Sequence, residues 1–219
     1  MKPYFEKSNL RLISFGNKSG RSIVMKKVIG NKRFNTRQIA VVGMLSAISL
    51  VLGASGIGFI PLPMAKATIM HIPVIIGAIL EGPIVGLVAG LIFGVFSIIQ
   101  NLTNPSILSF AFLNPLVSVL PRMLIGITTY YSYKIPFIKN SVLKSGISAA
   151  VGTLTNTVGV LGMIYLLYAA EYAQANGIDP TTAAAAIFGV ALTNGIPEII
   201  FSVALTISIV AAVKKLIKK

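Results

Sequence analysis

The 219-residue chain has no cysteine, a single histidine and only five acidic residues. Without cysteine there is no disulfide framework, no thiolate metal site, no cysteine nucleophile and no iron–sulfur cluster. One histidine leaves little for a histidine-based metal cluster. Charge of either sign is scarce, at 11% of residues, against ~25% in an average soluble domain. The motifs of common chemistries are missing too. Gly16-Asn17-Lys18-Ser19-Gly20-Arg21-Ser22 has glycines but neither the spacing nor the flanking strand of a phosphate-binding loop. There is no HExxH, no GxSxG and no paired catalytic carboxylate cluster. The chain reads as a binder or conduit without catalytic residues, metal or cofactor.

What is present is apolar: 55% of residues are hydrophobic and the mean hydropathy is +0.85. That excludes a soluble globular enzyme, a disordered tail and a fibrous protein. The net charge of +14 would suit nucleic acid, but its placement points elsewhere. Ten of the cations, from Lys2 to Arg37, precede or touch the first apolar run. Lys134, Lys139 and Lys144 share one loop, and Lys214, Lys215, Lys218 and Lys219 end the chain; only Lys66 and Arg122 lie elsewhere. Cations gathered between nearly charge-free runs are the pattern of a multi-pass membrane protein that keeps its positive loops inside.

Residues 1–24 are basic and rich in Ser, Asn and Gly. They lack the apolar stretch of a signal peptide. They read as a tail, with a basic segment on anionic lipid as the alternative and Met25 as an alternative start. The expected organisation is a basic cytoplasmic segment over 1–35, a six-helix transmembrane substrate-binding domain over 36–213, and a basic cytoplasmic tail over 214–219.

A helix needs about 20 apolar residues to cross a bilayer. The candidates are Thr36–Gly53; the short Thr68–Leu80; Ile84–Ile99; Leu108–Tyr131, interrupted at Asn114-Pro115 and Pro121-Arg122; Ser145–Tyr168; and Ala183–Val213, interrupted at Asn194-Gly195-Ile196-Pro197-Glu198. Glu171–Thr181 reads as a polar loop. Six passes put both termini and the loops 81–83 and 134–144 on one side, so that 17 of the 19 cations face the cytoplasm. The opposite loops carry only Lys66, Glu171 and Asp179. No internal repeat of the inverted-repeat transporter kind is visible.

Gly82, Gly86, Gly90 and Gly94 recur at spacing four. Small residues let helix backbones approach closely in lipid, and an internal helix contact is preferred here over a partner surface. Gly43 and Ala47, extended by Ala40, make a weaker stripe on the first span. Ionisable groups inside spans are costly and point to function. Arg122 and Glu198 either pair with each other or line a cavity for an anionic solute; Pro121 and Pro197 directly precede them. Asn114 and Asn194 add amides in the outer half, and Asn156 is expected to join helices. His71, beside Pro73, reads first as structural, and Lys66 as a snorkelling anchor or an anion guide.

Residues 35–215 resemble the substrate-specific (S) components of energy-coupling factor (ECF) transporters, the prokaryotic vitamin importers. The resemblance rests on Thr36-Arg37-Gln38-Ile39-Ala40 leading into a small-residue helix, and on the long Gly/Pro loop that follows. It rests also on His71-Ile72-Pro73-Val74-Ile75-Ile76-Gly77, on Gly82-Pro83-x-x-Gly86-x-x-x-Gly90, and on Asn114-Pro115 to Pro121-Arg122. It implies an all-α bundle of six transmembrane helices in the prokaryotic plasma membrane, with one vitamin site near the outer face. It also implies partners, a membrane coupling subunit and two cytosolic ATPases, with Gly43 and Ala47 as contacts to the coupling subunit. The stretches 68–83 and 114–122 resemble the pantothenate-type branch most. His71 stands where riboflavin-type proteins usually carry an acid, and Gln100-Asn101 where folate-type proteins carry Asp. On this reading Arg122 takes the ligand carboxylate, Asn114 and Asn194 its amide and hydroxyls, and Glu198 its polar end; His71, Lys66 and Asn156 are further candidates, and loop 54–67 is a lid. The alternatives are another vitamin, a stand-alone transporter with Glu198 as proton carrier, and a structural membrane subunit.

Overall fold

A computed structural model describes residues 35–61 and 66–217. The expected 1–35 segment lies outside the described residues but for Asn35, and so do Lys218 and Lys219. Among the described residues eight α-helices follow in chain order: α1 (Thr36–Ala54), α2 (Ile72–Glu81), α3 (Pro83–Thr103), α4 (Ser109–Phe112), α5 (Pro115–Ser118), α6 (Leu120–Tyr133), α7 (Ser141–Asn176) and α8 (Ala183–Ile217). α1, α3, α7 and α8 are each long and apolar enough to cross a membrane. The other helices are shorter: α2 is a ten-residue apolar helix, and α4, α5 and α6 follow one another as short segments of four, four and 14 residues.

The architecture is the expected helical bundle with one addition. Phe59–Pro61 (β1) and Lys66–Thr68 (β2) pair antiparallel, with Ile60 opposite Ala67. The stretch 54–67 is therefore partly an ordered ribbon rather than loop alone. At ten residues, α2 spans only about 15 Å, half of a ~30 Å hydrocarbon core. Non-helical backbone at that depth is tolerated only inside protein, and eight residues of α2 are buried. Val74, Ile75 and Ile79 of α2 form the centre of the main apolar cluster with Phe93, Ile125 and Val210.

The glycine stripe is an internal seam. A Cβ placed on Gly86 would lie 2.7 Å from Gly126 Cα, and one on Gly94 the same distance from Val119 Cα. One on Gly90 would strike the carbonyl of Arg122. α3 and α6 thus touch backbone to backbone, the geometry that small residues permit in lipid. Gly82 belongs to a turn instead: it caps α2 at φ +107°, a conformation open to glycine.

Two expected boundaries are corrected. Glu171–Thr181 is not a loop, because α7 continues to Asn176. It has one break, at Tyr168 (φ −141°, ψ 28°). Alanines 169, 170, 173 and 175 favour helix, so polarity there marks departure from lipid rather than loss of helix. Gly177 ends α7 at φ +65°, where Ile178 N donates to Ala173 O and Gly177 N to Gln174 O, the paired bonds of a Schellman cap. The second correction is Asn194-Gly195-Ile196-Pro197-Glu198, which does not interrupt α8. Pro197 removes a single ladder bond, and the helix continues past it.

One end of the bundle gathers the helix termini that the charge pattern placed together. Arg37 in the first turn of α1 pairs at 2.6 Å with Glu81 at the end of α2. Lys214 near the end of α8 donates to Tyr133 at the end of α6 and to Ser141 at the start of α7.

The seam yields a contrast. Gly90→Ala is expected to destabilise the fold by about 1–3 kcal/mol, the cost of overpacking a tight contact. Gly43→Ala meets nothing within 4 Å and should leave stability unchanged. Thermal unfolding in detergent, followed by size-exclusion, checks both; equal midpoints for the two variants would contradict the packing.

Candidate functional site

Two buried polar side chains from other elements meet one face of α7. Thr153, Asn156 and Thr157 stand at helical spacings of three and four, so they share a face. All three are buried. Two neighbouring elements reach them. His71, immediately before α2, is 0% exposed, with Nε2 3.0 Å from Thr153 Oγ1. Glu198 of α8, 5% exposed, accepts from the Thr157 hydroxyl at 2.9 Å. Its other oxygen accepts from the Thr68 backbone N–H at 2.7 Å. The carboxylate therefore ties the end of β2 and α7 to α8.

Arg122 sits at the start of α6, 6% exposed. The seam with α3 holds its backbone against Gly90. Nη1 donates to Val117 O at 2.6 Å. The guanidinium lies 5.7 Å from the Phe93 ring centroid and 5.5 Å from that of Phe112. A desolvated cation between aromatic rings gains about 2 kcal/mol from such a contact. Arg122 and Glu198 do not form an ion pair; among the described residues the ion pair within 4 Å is Arg37–Glu81.

Buried polar groups are normally hydrogen-bonded. Here Arg122 Nε, His71 Nδ1, Asn156 Oδ1 and Asn194 Oδ1 are buried without a partner. They comprise a guanidinium donor, two amide acceptors and an imidazole nitrogen. Among the described residues, the hydroxyls of Ser46, Thr129, Ser148, Ser202 and Thr206 are likewise buried without a partner.

Asn114 has a different position. Its Oδ1 caps α5 by accepting from Leu116 N at 2.9 Å, and its Nδ2 donates to the Tyr168 hydroxyl at 3.0 Å. It fastens the α4–α5 corner to the break in α7, where the Tyr168 ring meets Phe110 edge-on at 5.7 Å. The Lys66 side chain lies outside the described residues. Gly43 and Ala47 face outward on α1, away from this site. Sequence reasoning missed Thr153, Thr157, Phe93, Phe112 and Tyr168. Thr153 and Thr157 flank Asn156 within an apolar run and were legible as a polar helical face. Aromatics in apolar runs carry no such mark.

Outside the membrane, Asp179 opens the short 3₁₀ turn Pro180–Thr182. The N–H and hydroxyl of Thr181 bond its carboxylate and hold its pKa below the ordinary value.

The model of the family "ECF transporter, substrate-specific component" matches residues 37–210. A curated relative from Lactococcus lactis subsp. cremoris, named pantothenic acid transporter PanT, is 31% identical over 202 residues, covering 84% of this chain and 97% of the relative. A pantothenate transporter PanT from Leuconostoc mesenteroides subsp. mesenteroides is 29% identical over 163 residues, covering 70% and 79%.

Glu198 separates structure from charge. Glu198→Gln keeps an acceptor for Thr68 N–H and can donate to Thr157, so a small shift in unfolding midpoint is expected. Glu198→Ala strands both partners and should cost about 1–3 kcal/mol. Equal behaviour of the two variants on thermal unfolding would show that the carboxylate does not tie these elements.

Proposed function

Because this chain belongs to the substrate-specific components of ECF transporters, we propose that it is the pantothenate-binding membrane subunit of an ATP-driven vitamin importer. The names of both relatives support the vitamin. The observation that carries the chemistry is the buried Arg122, whose Nε has no partner and whose charge no carboxylate within 4 Å neutralises among the described residues. Pantothenate bears one carboxylate, an amide and hydroxyls. Arg122 takes the carboxylate in a charge-assisted bond, which is stronger and shorter than a neutral one. Asn194 and Asn156 read the amide and hydroxyls, and His71 offers its free nitrogen. Asn114 acts through the α5 cap and Tyr168, shaping the wall of the site. Lys66 steers the anion from outside.

The subunit supplies binding; ATP hydrolysis comes from two cytosolic ATPases joined to it by a membrane coupling subunit. The exposed small-residue face of Gly43 and Ala47 is the contact for that subunit. The basic ends, including segment 1–35 and tail 214–219, face the cytoplasm of the prokaryote. A stand-alone carrier with Glu198 as proton carrier is less well supported, since both oxygens of Glu198 already accept bonds from the protein.

Titration calorimetry of the purified chain with pantothenate tests the binding role. Arg122→Ala is expected to weaken affinity by roughly 10- to 100-fold, the loss of a hydrogen bond to a charged group, and Arg122→Lys by less. Unchanged affinity in Arg122→Ala would remove Arg122 from the site. The absence of cysteine makes orientation directly measurable. Lys139→Cys and Lys215→Cys should react with an impermeant maleimide only after the membrane is opened, and Asn176→Cys in intact cells.

A further inference from the structure

A recess lies on the flank of the bundle, lined by none of the residues proposed to hold the vitamin. α2 packs on both α1 and α8, and a groove of about 430 Å³ runs between the two long helices with α2 as its floor. Ile72 and Ile76 form the floor, while Ile48 of α1 and Ile209 of α8 stand on the walls. The wall residues remain 44% and 40% exposed, so the groove opens sideways toward lipid. Its lining is apolar along its length, and the polar groups, Arg37 and Glu81, are confined to one end. Lys214 and Lys215 follow the lining residue Val213 at that same end.

We propose that this groove binds one acyl chain of an anionic phospholipid, with the headgroup phosphate on Arg37. Apolar surface alone gives no preference within a bilayer, because lipid tails are as apolar as the groove. Selection must come from the polar end. Arg37 lies in the first turn of α1, at the interface level where headgroups sit. Its side chain is 61% exposed and makes one contact to Glu81. A guanidinium has five donors, enough to bridge Glu81 and a phosphate together. Lys214 and Lys215 add positive potential at the same level, which draws anionic lipid. A zwitterionic lipid gains the same apolar contact without that net attraction. The groove residues of α1 centre roughly 130° around the helix from Gly43 and Ala47, with Met44 nearest at about 60° from Ala47, so the groove borders the proposed coupling face without sharing its two small residues, and it does not depend on the vitamin reading.

The chain has no tryptophan, so a single introduced indole reports quenching by brominated lipid without background. The full chain carrying Ile48→Trp, or Ile209→Trp as a second groove position, is reconstituted in dibrominated phosphatidylglycerol or dibrominated phosphatidylcholine. Leu154→Trp on α7 is the control; it is 45% exposed and lies as far along α7 as Ile48 does along α1. The groove indole should show about fivefold preference for the anionic lipid, the worth of one basic residue at an anionic surface. The control should show none. Arg37→Gln with Glu81→Gln removes the pair without leaving a lone charge, and should abolish the preference while size-exclusion shows folded protein. The same lipid preference at groove and control would overturn the proposal. So would a preference that survives the double substitution, or groove quenching by both lipids weaker than the control, which would mean that protein covers the groove.

Discussion

Backbone and side-chain polar groups at membrane depth must be satisfied by protein, since lipid offers no partner. In this chain the burden falls on the ten residues of α2 and the extended strand before it, which together are too short and too irregular to face lipid. They are viable only when surrounded. α1, α3, α6, α7 and α8 all pack on α2. Glu198 then takes up the Thr68 N–H at the strand's end, and His71 turns inward to Thr153. The polar interior is thus built from the groups that make a short buried segment possible.

The α3–α6 seam follows from the same economy of space. With Gly86, Gly90 and Gly94 facing Gly126 and the backbone at Arg122 and Val119, α6 is drawn tightly onto α3. This positions Arg122 between Phe93 of α3 and Phe112 of α4. The aromatic faces and the Val117 carbonyl stabilise a charge that no carboxylate pairs. An Arg–Glu ion pair would neutralise both residues and leave little for a solute. Their commitments are separate, Glu198 to Thr68 and Thr157 and Arg122 to the rings with Nε unspent, which is the arrangement the proposed anion binding rests on.

Polar interior and outer surfaces therefore have different roles. The face of α7 from Thr153 to Thr157 holds His71 and Glu198; the proposed coupling face is the exposed side of α1 with Gly43 and Ala47, and the proposed lipid groove lies over α2. Interior and groove both follow from α2 stopping short: it leaves an interior to fill with polar groups and a cleft between α1 and α8.

The sequence by itself determined the membrane class and the helical bundle, because hydropathy acts residue by residue against the bilayer. It also determined the glycine seam and marked Arg122, Glu198, His71 and the asparagines as costly in lipid. Only the tertiary structure decided which of these groups meet. Arg122 and Glu198 are separate, Asn114 serves a helix cap, Thr153 and Thr157 become partners, and Phe93 and Phe112 flank the cation. These outcomes depend on how helices distant in the chain pack, and a linear pattern does not encode that geometry. The same distinction explains the boundaries. Polarity reports where a helix leaves lipid, but whether it ends there depends on propensity and capping, and Asn194-Gly195-Ile196-Pro197 stays helical because the flanking turns hold it.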